Sequence, residues 1–230
     1  MKAASKLGSL TCAAIGTPRR RDEASSSRLS TSHRQESSSQ QLDSGTSVYG
    51  TGPERLRQRG TGAHNTIVVD GLDSSEVWGG FRVAGRARPR LVNFDLEEGF
   101  VSAEHDGYFR LPGKPLHRRD VRLTDRRLNV VDIVESKDPY REHQVRGAWH
   151  LHPDVRVLDL RVSGEANVVK LAFPTEAGER EAVLTLRGAA DVRVEKSTWH
   201  PEFGLAVPNH RIVFEIRDTS PVMCETELRW

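Results

Sequence analysis

The chain has 230 residues, 36% of them hydrophobic and 29% charged, with mean hydropathy −0.56 and a formal net charge of +2. That length allows one or two domains with a sizeable core, and no run approaches the eighteen or so apolar residues of a membrane-spanning helix. The two cysteines, Cys12 and Cys224, indicate no disulfide framework.

Residues 1–42 hold ten serines and few large apolar residues beyond four leucines and one isoleucine. Such a segment buries too little apolar surface to offset its ordering entropy, so a disordered tail is expected there. Its seven Lys/Arg against three Asp/Glu leave +4, and the remainder, with 27 against 29, carries −2. The basic isoelectric point is thus a property of the tail, and the folded part shows no basic excess of the kind nucleic-acid binding requires. The start, MKAASKLGSLTCAAIG, is thin for a signal-peptide apolar region.

From Asp43-Ser44-Gly45 a Gly-rich, basic loop leads to Gly62-Ala63-His64-Asn65-Thr66 and the strand Ile67-Val68-Val69-Asp70. Beyond it, apolar runs broken by Gly, Pro, Asn and Asp predict strands at 65–70, 78–97, 100–110, 115–123, 127–135, 144–152, 155–162, 166–173, 180–187, 191–198, 210–218 and 223–229. Ile212, Phe214 and Ile216 alternate as a half-buried strand does. In 155–162 the apolar phase switches between Val157 and Leu158, which predicts a bulge. Thr124-Asp125-Arg126 and Glu176-Ala177-Gly178-Glu179 are hairpin signals. No stretch carries a sustained helical stripe. The expected fold is all-β, an antiparallel β-sandwich over 43–230 behind the tail.

Four histidine clusters carry the chemistry-bearing side chains. His64 at a strand entrance, with Asp43 before it, could share a zinc ion, although zinc usually takes at least three protein ligands. The plainer account is that both hydrogen-bond loop backbone. His105-Asp106-Gly107-Tyr108, read inside a strand, could handle protons, or Gly107 could mark a bulge or close backbone approach. His117-Arg118-Arg119 reads as a basic strand end facing an anionic polymer, or as a solvated charged edge strand. His150 and His152, two apart on a strand, would share a face and could reach one metal; pairing with carbonyls or carboxylates across strands is the alternative. There is no Gly-x-Ser-x-Gly elbow, no activating context at Cys224, and no phosphate-binding loop.

These clusters, together with Tyr49-Gly50, Arg59-Gly60-Thr61, Val69-Asp70-Gly71, Trp78-Gly79 and Phe81-Arg82-Val83, resemble the C-terminal β-domain of the heparinase II/III family of polysaccharide lyases over about residues 43–230. The resemblance implies an antiparallel β supersandwich that packs on an α/α toroid in complete members. It implies β-elimination of acidic, uronate-containing polysaccharide: a base takes the proton alpha to the uronate carboxylate, a neutralising group stabilises the enolate, and an acid protonates the leaving oxygen. It also implies a structural metal, often zinc, for which Asp43 and His64 match two ligands. Asn65, His105, Tyr108, His117, Arg118, His150 and His152 are then candidate cleft-facing residues.

The family's toroid, which carries most of the catalytic residues, is not found in this sequence, and TSHRQESSSQQL stands where an H-x-H strand is expected. Residues 1–42 are therefore expected to derive from a frameshift or mis-assigned start. Reading the upstream DNA in the other frames tests that. The chain is expected to be inactive alone, the rival being a non-catalytic module that binds glycan or docks a partner. The family implies the cell envelope or periplasm; without a convincing signal peptide the cytoplasm stays open.

Overall fold

A computed structural model describes residues 43–230, so the expected tail, and Cys12 with it, lies outside the described residues. One short helix, α1 (Pro53–Arg59), and a 3-10 turn (Thr61–Ala63) precede fourteen strands. These are β1 (Ile67–Val69), β2 (Glu76–Val77), β3 (Val83–Ala84), β4 (Pro89–Asp95), β5 (Phe100–His105), β6 (Leu116–Thr124), β7 (Arg127–Glu135), β8 (Glu142–His150), β9 (Arg156–Arg161), β10 (Asn167–Thr175), β11 (Gly178–Arg187), β12 (Asp191–Trp199), β13 (Val207–Thr219) and β14 (Val222–Arg229).

Two antiparallel sheets face one another. One runs β1-β8-β13-β12 and the other β4-β5-β6-β7-β14-β11-β10-β9, with β2-β3 a separate hairpin. The inner faces share one core that includes Val69, Val134, Val169, Leu184, Leu186, Ile212 and Phe214. Across it the Trp149 indole of β8 donates to the Thr226 hydroxyl of β14 at 3.1 Å. The all-β antiparallel sandwich expected from the sequence is what forms.

Local expectations fare well where alternation and turn chemistry agree. Ile212, Phe214 and Ile216 are all buried. The phase switch in 155–162 is a bulge: Val157 pairs with Leu171 and Asp159 with Lys170, leaving Leu158 unopposed. Thr124 pairs with Arg127 and Thr175 with Gly178, so both predicted hairpins close on two-residue loops.

Three expectations need correction. The single strand at 78–97 is broken into β3 and β4, and Trp78 to Arg82 form the loop of the small hairpin. Gly79-Gly80 and the left-handed Gly85 (φ +47°) interrupt it, and Pro89, lacking an N–H, opens an edge strand. Strand 100–110 ends at His105, and the residues after it turn. Gly107 there does make the predicted close approach: a Cβ on it would stand 2.3 Å from the Ser74 carbonyl oxygen. The basic loop before the sandwich contains α1, signalled by Pro53 in its first turn, Glu54 behind it and Gly60 at its end.

Gly147 of β8 shows how tightly the sheets close. A Cβ built on it would lie 2.0–2.7 Å from the Phe214 ring. Gly147→Ala is expected to lower stability by about 1–3 kcal/mol, the usual cost of overpacking, read as a lower urea midpoint with an unchanged slope; no shift would mean that the ring has room to move.

Candidate functional site

The sequence-flagged residues fall into two groups, one inside the sandwich and one at its surface. The inner group is a hydrogen-bonded chain on β5, β6 and β7. The Gly107 amide donates to His105 Nδ1 at 3.2 Å. Nε2 of His105 must then carry the proton, and it lies 3.0 Å from His117 Nδ1. His117 in turn is left with its proton on Nε2, which donates to Asp132 Oδ1 at 2.7 Å. The order of donors and acceptors fixes both rings as neutral.

Asp132 also takes Arg119 on both oxygens, at 2.6 and 2.8 Å. Arg119 continues to the Asn65 carbonyl and lies 5.5 Å over the Trp149 ring of the facing sheet. Burial pushes the His105 pKa down to about 3, aided by the Arg119 charge and by the repulsion that protonating both members of the His105–His117 pair would bring. Burial opposes ionisation of Asp132, but Arg119 and His117 together hold its carboxyl far below the usual carboxylate range. Tyr108 is fully buried and its hydroxyl donates to the Ile67 carbonyl at 2.7 Å; burial pushes its pKa up.

Asn65, His105, Tyr108, His117 and His150 are thus interior residues, not cleft-facing ones. β6 is a central strand between β5 and β7, not a solvated edge. Its alternation sends His117 and Arg119 inward, while Arg118 stays part-exposed and stands 3.7 Å from Asp120. The pairing of His150 with His152 also fails. β8 ends at His150, whose Nε2 donates to the Gly62 carbonyl at 3.2 Å. His152, beyond the strand, lies 3.3 Å from Asp154 and against the Trp199 ring. Cys224 is buried, which pushes its thiol pKa up and leaves it unreactive.

The surface group is built around Asp43 and His64. The Ser44 amide donates to the Ala63 carbonyl, and the Ser44 carbonyl accepts from the His200 amide at 2.8 Å. Gly45, at φ +71°, leaves no space for a side chain against the His200 carbonyl. That clamp sets Asp43 Oδ2 2.7 Å from His64 Nδ1. Burial opposes ionisation of Asp43, but the His64 hydrogen bond and charge hold its carboxyl below the ordinary range. Asn65 braces the same entrance, its side-chain oxygen accepting the His150 amide at 2.7 Å.

As a metal site this pair supplies two donors where zinc needs a third. Among the described residues, no group of three or more His, Cys, Asp or Glu side chains is arranged to hold a metal ion. Residues 43–230 therefore do not complete such a site, and no chemistry is routed through one.

The His64 ring lines a pocket of about 470 Å³ with Thr46, Arg55, Gln58, Arg59, Thr61, Ser74, Ser75 and Arg86. No carboxylate lines it, and Arg55, Arg59 and Arg86 form no ion pair among the described residues. Arg59 feels that crowding: partial burial and the charges of Arg55 and Arg86 lower its pKa. Acids on neighbouring segments are engaged elsewhere. Asp73 accepts the Thr61 amide at 2.7 Å and Glu76 pairs with Arg110 at 3.6 Å. The arginines escaped the sequence reading because α1 did; four apart, Arg55 and Arg59 share one helix face.

The family model described as heparinase II/III-like, C-terminal, matches residues 11–230. It begins ahead of Asp43, so most of the segment expected to be foreign falls within the match, and the frameshift expectation loses its motive. Among solved structures the chain is similar to a heparinase III gene product, with TM-score 0.57, 18% identity, and coverage of 81% of this chain and 27% of that one. It is similar also to a mutant of the heparan sulfate lyase HepC from Pedobacter heparinus, with TM-score 0.58, 15% identity, and coverage of 82% and 28%. At such identities the likeness shows the fold, and this chain spans little more than a quarter of either. The search of curated proteins finds no match. By a family match that takes in nearly its whole length, the chain belongs to the heparinase II/III-like C-terminal family.

Proposed function

We propose that residues 43–230 are the β-domain wall of a lyase that acts on acidic, uronate-containing polysaccharide, and that this chain does not turn such substrate over alone. The observation that carries the reading is the pocket beside Asp43 and His64, where three guanidiniums meet and no carboxylate of the described residues pairs with them. Abstraction of the proton alpha to a uronate carboxylate needs that carboxylate's growing charge neutralised, which clustered arginines do well. His64, held by Asp43 through Nδ1, is placed as an oriented imidazole is for proton transfer.

A second proton-transfer group is what the pocket lacks. Among the described residues, none of its other lining side chains is an acid and no tyrosine lines it. In this reading the leaving oxygen is protonated from a partner wall. The family's cell-envelope setting comes with the same reading. The purified chain is expected to give no rise in unsaturated-uronate absorbance with acidic polysaccharides while still binding them. Turnover that disappears in His64→Ala would overturn the inactive reading and make His64 a catalytic base.

A further inference from the structure

An exposed aromatic cluster lies against the arginine pocket. Tyr49, Phe81 and Phe203 are 67%, 73% and 56% exposed. Their rings come together from three separate loops, with Tyr49 4.3 Å from Phe203 and 6.2 Å from Phe81 between centroids. Such surface area is costly to leave in water, and three large rings gathered in one place mark a binding surface more often than chance exposure does. Beside them Trp78 is 57% exposed, with the Arg82 guanidinium 4.9 Å from its ring centroid.

Backbone contacts build the cluster. The Gly204 amide donates to the Ser47 carbonyl at 2.8 Å, tying the Phe203 loop to the Tyr49 loop. Arg55 Nε donates to the Gly80 carbonyl at 3.4 Å and Arg59 donates to the Gly79 carbonyl, tying α1 to the loop that bears Phe81. Arg55 belongs to both features. It lines the pocket, and its guanidinium carbon lies 5.9 Å from the Tyr49 ring centroid and 5.8 Å from that of Phe81.

We propose that Tyr49, Phe81 and Phe203 form the sugar-stacking half of an oligosaccharide subsite whose charged half is the Arg55, Arg59 and Arg86 pocket. A pyranose ring presents an apolar face of C–H groups that an aromatic surface covers, and an anionic substituent on the same or the next ring reaches the guanidiniums. The ligand class is a glycan bearing sulfate or carboxylate, groups that a guanidinium fork matches with paired hydrogen bonds. A protein partner would be expected to bring acidic side chains as well as apolar ones; the pocket's concave shape and its lining of hydroxyls suit single anionic groups on a flexible polymer. The inference rests on the acidic-glycan reading above and adds the surface that holds the sugar.

The test uses the full chain, titrated by calorimetry with three hexasaccharides: one of heparan sulfate, one of uronate units without sulfate, and neutral maltohexaose. Wild-type binding of either acidic probe and not of maltohexaose is expected. Tyr49→Ala and Arg55→Gln, both surface changes with circular dichroism as the folding control, are each expected to weaken binding about tenfold or more. The sulfated and unsulfated probes distinguish which anion the pocket takes. Unchanged affinity in both variants would overturn the subsite while leaving the acidic-glycan reading in place. Equal binding of maltohexaose would overturn the acidic-glycan reading itself. Self-association of the wild-type chain that Tyr49→Ala abolishes, without glycan binding, would show the cluster to be a dimer contact and overturn the proposal.

Discussion

Replacing Asp132 with alanine is expected to cost about 3–5 kcal/mol of folding stability, the range observed when one partner of a buried ion pair is removed. For a domain of ordinary stability, about 5–15 kcal/mol, that is a fifth or more of the total. The reason is what the change leaves behind. Asp132 is 2% exposed and accepts three hydrogen bonds, two from Arg119 and one from His117. Without it the Arg119 guanidinium, itself 4% exposed, loses two charge-assisted hydrogen bonds at a desolvated position. His117 loses the acceptor for its Nε2 proton, and the tautomer order through His105 loses its anchor.

The double replacement Arg119→Met with Asp132→Leu discriminates between the pair's net contribution and the penalty of breaking it. Exchanging both charges for apolar groups is expected to cost far less than the single change, because no buried charge is stranded. Urea denaturation of the wild type and both variants makes the comparison. A double variant as unstable as Asp132→Ala would show that the loss comes from packing and not from the uncompensated cation.

How much of this was legible in the sequence depends on how local the cause is. Alternation at Ile212, Phe214 and Ile216, the phase slip at Leu158 and the turn at Asp125-Arg126 are set by neighbours in the chain, and each was readable. His117 was not. A strand reading His-Arg-Arg looks like a charged edge, and only its position between β5 and β7 turns alternate residues into the interior. Its partner Asp132 lies on the next strand, paired in register with Arg119, a relation no single-strand pattern displays.

The candidate site divides in the same way. Asp43 and His64 were readable through their resemblance to a family, and the structure sets them 2.7 Å apart. The arginine pocket depended on first seeing α1, whose seven residues are too short to display an apolar stripe. The aromatic cluster depends on three loops meeting, which only tertiary structure brings about. The burial of His105, His117 and His150, which the sequence reading placed at a cleft, also bears on how stability should respond to acid.

Stability is expected to fall by about 4 kcal/mol between pH 6.5 and pH 4.5 through the interior histidines, with carboxylates adding to the loss toward the lower end. His105 and His150 carry most of it, both with native pKa values pushed below that of the unfolded state, and burial lowers that of His117 as well. His105 sits at about 3 because of burial, the neighbouring Arg119 charge and the repulsion a second proton on the His105–His117 pair would meet. His150 sits at about 4, chiefly through burial, which outweighs its hydrogen bond to Gly62. Geometry says why neither takes a second proton. The free lone pair of His105, at Nδ1, already accepts the Gly107 amide. That of His150, at Nδ1, is buried with no partner to receive an added N–H.

Unfolded histidine protonates near pH 6.5, so below that pH the unfolded chain binds at least two protons that the native state refuses, with His117 adding to those of His105 and His150. The sign follows: stability is lost as pH falls. Asp132, depressed in the native state, adds a further loss in the same direction only below its unfolded value of about 3.9. Denaturant melts across the range should give a slope of about two protons or more near pH 5. His105→Asn, which keeps an acceptor for Gly107 without a titrating ring, should reduce that slope by about one proton. A wild-type curve flat down to pH 4.5 would mean that the interior histidines take up protons without opening the fold.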